Sequence, residues 1–181
     1  MRRLTGRRPT SLTAALLIVA PAMAQAAEPP CLTAGEFTAL ANYSMPSIIS
    51  GTSQRCAATL APDAYLRKNG SDLATRYARQ KPGNWPGAKS AFLKLSSTAG
   101  SDAGTLMRDM PDSSLQPMLD AMMEGMVAQQ IPLERCGAID KAVRLLAPLP
   151  PENSAELIAL AVGLGARSKH AKIGKFSICP G

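Results

Sequence analysis

An all-α fold is predicted: a compact, disulfide-stapled bundle of about six or seven short helices. Three observations lead there. Valine, isoleucine and aromatic residues are sparse (aromatics 4%), while alanine, leucine and methionine are plentiful, a balance that favours helix over strand. Apolar residues recur at helical spacing between recognisable start and stop signals. Four cysteines, Cys31, Cys56, Cys136 and Cys179, all follow a segment that reads as an export signal, and disulfides persist in oxidising compartments.

That leader fixes the domain plan. Arg2, Arg3, Arg7 and Arg8 precede an apolar run from Leu12 to Ala20, then Pro21 and the small-residue stretch Ala22 to Ala26. A basic start, a short apolar run and an A-x-A site are the parts of a secretory signal. Residues 1–26 are therefore expected to be removed, leaving a single helical domain over residues 27–181. The run is too short for a spanning helix, which needs about 20 apolar residues. Arg7-Arg8 is followed by Pro9-Thr10-Ser11 rather than a bulky apolar residue, a weak fit to twin-arginine export. Cleavage removes four of the 20 basic residues and no acid, leaving 16 against 13 acidic residues, a net charge of +3. General nucleic-acid binding rests on many phosphate contacts and loses its support. The expected location is the periplasm of a bacterium or the medium outside it.

The helices are placed by their caps. Thr33 and Glu36 form a capping box, with Phe37, Leu40 and Ala41 on one face. Pro46 is a good first-turn residue and opens a second segment carrying Ile49, Cys56 and Leu60. Pro62 opens a third, with Leu66, Leu73 and Tyr77, broken at Asn69-Gly70. Residues 82–87, Pro-Gly-Asn-Trp-Pro-Gly, read as a turn. Ala88, Ala91, Phe92 and Leu95 then follow at i, i+3, i+4 and i+7. Ser96 to Thr105 reads as a loop. The next helix starts near Ser113, in a capping box with Gln116 that keeps Pro117 in the first turn, and runs to about Gln130. Cys136, Ile139, Val143 and Leu146 mark another face, ended by Pro148 and Pro150-Pro151. Asn153 and Glu156 cap a last helix with Leu157, Leu160, Ala161 and Leu164.

Four cysteines allow three pairings. If residues 31–60 form an antiparallel hairpin, Cys31 meets Cys56, and the same geometry at the other end joins Cys136 to Cys179. A redox site lacks the C-x-x-C spacing, and zinc sites pair closely spaced ligands, which these cysteines are not.

Candidate chemistry is sparse. Met107, Met110, Met118, Met122, Met123 and Met126 fall within twenty residues. Met118, Met122 and Met126 repeat every four and share one helix side. Thioethers suit Cu(I), so these three are the candidate metal ligands. Leu115 and Leu119 interleave with them, which favours a core face in which Met fills gaps. Asp120 and Glu124 lie one turn apart on the same helix and suggest an acid–base pair or half a carboxylate metal site; di-metal chemistry lacks a second E-x-x-H element and a matching helix, and a wet helix face is the simpler account. Glu36 is better used as a cap than as an acid. His170, the single histidine, lies in a charged tail, a poor place for a preorganised triad. Gly163 and Gly165 lack the preceding strand and third glycine of a phosphate loop. Trp85, the single tryptophan, either clamps its turn onto the bundle or stacks on a ligand. Arg167, Lys169, Lys172 and Lys175 form a basic run that either stabilises a helix end or touches an anionic surface.

No nucleophile, base or cofactor motif emerges, and no cofactor or catalytic residue is assigned. The leading expectation is a non-enzymatic envelope module acting through contacts with another protein. The alternatives are a soft-metal binder using the methionine helix and a carboxylate-dependent hydrolase of wall glycans.

Overall fold

The computed structural model describes residues 31–97 and 101–151, together with residues 153, 154, 157 and 179. Among them are six α-helices and one short 3-10 turn. The expected capping box is formed. The Glu36 N–H donates to Thr33 Oγ1 at 3.2 Å, and the Thr33 N–H donates to Glu36 Oε2 at 3.0 Å. From it runs α1, Ala34–Cys56. Pro46 lies inside this helix, not at the start of a second one. An interior proline costs about 3 kcal/mol. Packing offsets that cost, because α1 is held along its length by α2 (Tyr65–Ala78), α3 (Lys81–Ser97) and α5 (Asp112–Gln130).

Close helix crossings explain the other breaks that did not occur. The Asn69-Gly70 pair lies within α2, where a Cβ on Gly70 would sit 2.4 Å from Ser53 Oγ on α1. The expected turn over residues 82–87 is the start of α3, and a Cβ on Gly87 would sit 2.6 Å from Ala39 Cβ on α1. The apolar face read from Ala88 onward extends back to Trp85, which is buried. These glycines mark where two helix backbones approach, not where the chain turns.

A short helix, α4 (Ser101–Asp109), occupies much of the expected loop. α5 begins at Asp112, beside the expected start, but Pro111 is its cap and the Ser113–Gln116 box is not formed. It ends at Gln130 as read. A 3-10 turn, Leu133–Arg135, leads into α6, Cys136–Leu146. Asn153 does not cap a new helix. Its N–H and that of Ser154 both donate to Pro150 O, at 3.1 and 3.2 Å, so the turn starts earlier, with proline in the first position it prefers. Leu157 is helical, and Leu160, Ala161 and Leu164 of the expected last helix lie outside the described residues.

Two cores flank α1. Tyr43, Trp85, Ala88, Phe92, Leu115 and Leu119 form the first, between α1, α3 and α5. Ile49, Leu73, Tyr77 and Ala147 form the second, between α1, α2 and α6. The disulfides join Cys31 to Cys179 and Cys56 to Cys136, correcting the expected pairing. The reason is the length of α1. Twenty-three helical residues span about 34 Å at 1.5 Å each, so Cys31, before the helix, and Cys56, at its end, cannot meet. The hairpin that would have joined them does not exist. Among the described residues no helix is long and apolar enough to cross a membrane.

Candidate functional site

Among the described residues the second core is not filled. A cavity of about 300 Å³ lies among Met45 and Ile49 of α1, Leu73 and Tyr77 of α2, and Val143 and Ala147 at the end of α6, with Leu146, Ser154 and Leu157 completing its wall. Each helix contributes residues four apart, which share a face. Leu146 and Leu157 are 45% and 48% exposed, so the cavity opens to the surface at that edge, where the neighbouring Leu145 is also exposed.

Two polar contacts hold these walls. The Leu66 N–H, in the first turn of α2, donates to Asp140 Oδ1 of α6 at 2.7 Å. At the other end of α2, Arg76 Nη2 donates to Ala147 O. The buried Cys56–Cys136 bridge adds a covalent tie between α1 and the start of α6. Two lining residues carry hydroxyls, Tyr77 and Ser154, and that of Ser154 donates to Pro150 O at 3.4 Å. The cavity thus offers an apolar surface, without an acid–base pair in its lining.

The carboxylates singled out from sequence are engaged elsewhere. Asp120 accepts from Ser47 Oγ at 3.0 Å and pairs with Lys81 Nζ at 2.5 Å. Lys81 also sits 4.4 Å from the centre of the Tyr43 ring, a cation–π contact. Burial, and then the nearby Asp120 charge, raise the Tyr43 phenol far above its ordinary range. Its hydroxyl is buried and has no hydrogen-bond partner among the described residues. Glu124 accepts from Ser50 Oγ at 3.4 Å and from Gln54 Nε2. Both carboxylates therefore face α1 and join it to α5, rather than lining a groove.

Trp85 is a core residue. Its ring centre lies 5.1 Å from that of Tyr43, and its Nε1 donates to Asp112 Oδ2 at 2.7 Å. Asp112 also pairs with Lys89 Nζ at 2.6 Å. The Lys89 and Trp85 hydrogen bonds hold its carboxyl below the ordinary value. The clamp joins α3 to the start of α5.

The methionines divide. Met107, Met110, Met118 and Met123 pack against the first core, whereas Met122 and Met126 are 44% and 40% exposed. The expected single core face is thus only half correct. Among the described residues no three His, Cys, Asp or Glu side chains gather as a metal site. Gly163, Gly165, Arg167, Lys169, His170, Lys172 and Lys175 lie outside the described residues.

The cavity is not legible in the sequence. Ile49, Leu73, Tyr77 and Val143 were all legible as inward-facing, but periodicity reports which face is apolar, not whether facing side chains meet. The fold and site together define a disulfide-stapled helical domain with an apolar cavity. Comparison with protein-family profiles, curated proteins and solved structures finds no match.

Proposed function

We propose that the chain is an exported, non-enzymatic binding module whose cavity between α1, α2 and α6 receives an apolar group. The cavity itself carries this reading: about 300 Å³ of largely apolar space, at the lower end of the size range of small-molecule sites. The secretory pattern of residues 1–26 and the two disulfides support action outside the cytoplasm. The module acts by contact, holding an apolar part of its partner between helices that disulfide and hydrogen bonds keep in place.

The test is fluorescence of Nile red, an uncharged apolar dye, with the purified oxidised protein. Enhancement that disappears in Val143→Trp, a variant that fills the cavity, is expected. A folded protein that leaves the dye dark would sink this reading.

A second reading rests on the exposure of Met122 and Met126 beside Met118: a soft-metal site on α5. Thioethers select Cu(I), so titration of the protein with Cu(I) under reducing, anaerobic conditions tests it. Binding unaltered by the triple change of Met118, Met122 and Met126 to Leu would refute it.

A further inference from the structure

The accessible sulfur of the chain is concentrated on one face of α5. All four cysteines are in disulfides, so no thiol competes with the methionine thioethers for an oxidant. Trp85, the single tryptophan, is buried. Met107, Met110, Met118 and Met123 pack against the first core, and Met45 packs against the second. Met122 and Met126 are exposed. They lie four residues apart on α5 and so are neighbours on its surface. Past Ser114 the exposed residues of α5 are Pro117, Ala121, Met122, Met126, Gln129 and Gln130, none of them charged. Asp120 and Glu124 are turned the other way, onto α1. An oxidant arriving from water therefore meets these two thioethers first, since susceptibility follows exposure.

We propose that Met122 and Met126 form a reversible oxidation site for peroxides, independent of the cavity. A sulfur lone pair attacks one oxygen of hydrogen peroxide, the O–O bond breaks and an S–O bond forms. The sulfur gives up two electrons. The proton on the transferred oxygen passes to the departing hydroxide, which leaves as water. Return to the thioether takes two electrons and two protons from a dithiol and releases the oxygen as water, the reaction of a methionine sulfoxide reductase. Position decides the consequence. On the exposed pair the new oxygen stays in water, so the helices keep their packing. On a core methionine it would be buried without a donor, which disrupts the core. Oxidation of the pair therefore turns an uncharged, largely apolar helix face into one that accepts hydrogen bonds, with the fold unchanged.

Graded hydrogen peroxide on the purified, disulfide-bonded protein tests this, read by intact mass, peptide mass spectrometry and circular dichroism. A first phase is expected that adds one and then two oxygen atoms per chain, at Met122 and Met126, with the helical signal unchanged. The two reductases specific for the sulfoxide epimers, supplied with a dithiol, should remove both oxygens from the folded protein. Changing Met122 and Met126 together to Leu keeps apolar helix formers on an exposed face and should remove the first phase. Oxygen uptake should then begin only at doses that also lower the helical signal. Three results would each overturn the proposal: oxygen spread evenly over all the methionines, loss of helical signal with the first oxygen, or sulfoxides that the reductases leave in place. The first phase is read on the unaltered protein, so the test stands even if the double variant fails to fold.

Discussion

The backbone N–H of Leu66 is capped by Asp140, 74 residues away in the chain, at 2.7 Å. Helix α2 has no cap of its own, since Ala64 at its N-cap position offers no side-chain acceptor. The four free N–H groups at a helix start need partners, and here α6 supplies one. The same contact fixes the distance between the helices that carry Leu73 and Val143, so a helix cap also sets a wall of the cavity.

Asp140→Ala should therefore cost about 1 kcal/mol, as loss of a cap does. For a chain of this size that lowers the melting temperature by about 2–4 °C. Asp140→Asn keeps an acceptor oxygen and should lose less. Thermal unfolding followed by circular dichroism ranks the three proteins, and Nile red binding should weaken in the same order. Equal stability of Asp140→Ala and the unaltered protein would show that the first turn of α2 is satisfied without α6.

Two glycines should respond in opposite directions to the same added methyl group. A Cβ on Gly51 would lie 2.6 Å from Glu124 O and 3.2 Å from its carbonyl carbon and Cα. Those are backbone atoms of α5 and cannot rotate away, so Gly51→Ala must push the two helices apart. About 1–3 kcal/mol of destabilisation is expected, the usual cost of overpacking. A Cβ on Gly125 meets nothing within 4 Å, so Gly125→Ala should gain about 0.5–1 kcal/mol from helix propensity. Urea denaturation of both variants measures the contrast.

Legibility followed the range of the interactions. The Thr33–Glu36 box, the end of α5 at Gln130 and the inward faces of most helices depend on residues three or four apart, and they were readable. Pro46, Asn69-Gly70 and Pro82–Gly87 were misread because their local preference for a break is outweighed by partners far along the chain. Those partners are the helices around α1, Ser53 opposite Gly70, and Ala39 opposite Gly87. One such error propagated: splitting α1 at Pro46 brought Cys31 and Cys56 together on paper. The cavity is less legible still, since it depends on how three helices fail to fill the space between them.

Acid should weaken the protein through Glu36. Burial disfavours its charge. The hydrogen bonds from Lys94, Ser90 and Thr33 outweigh that and bring its pKa from 4.5 down to about 2. Lys94 Nζ and Ser90 Oγ each lie 2.7 Å from the carboxylate. The folded state thus binds this proton less readily than the unfolded chain does. The stabilisation is fully present above the unfolded value of 4.5 and is lost as the pH falls through about 2. Glu36→Gln should lower the melting temperature at neutral pH and flatten its dependence on pH across that window. The depressed carboxyl of Asp112 acts in the same direction and should leave a residual slope. An unchanged slope in Glu36→Gln would mean that other carboxylates govern the acid response.

Reduction should proceed in two stages. Cys56 and Cys136 are 0% and 1% exposed, whereas Cys31 and Cys179 are only partly buried. A thiol reductant must reach a sulfur to attack it, so the Cys31–Cys179 bridge should open first, under conditions that leave the fold intact. The inner bridge should open only when the protein itself opens. Its loss then carries a large penalty, because it closes a span of 80 residues, worth about 4.5 kcal/mol in loop-closure entropy. It also frees α6 from α1, and with it one wall of the cavity. Graded reduction, alkylation and peptide mass spectrometry should find Cys31 and Cys179 labelled at low reductant with Nile red binding retained. Cys56 and Cys136 should be labelled together with loss of helical signal. Labelling of all four cysteines in step would show that both bridges depend on the same opening.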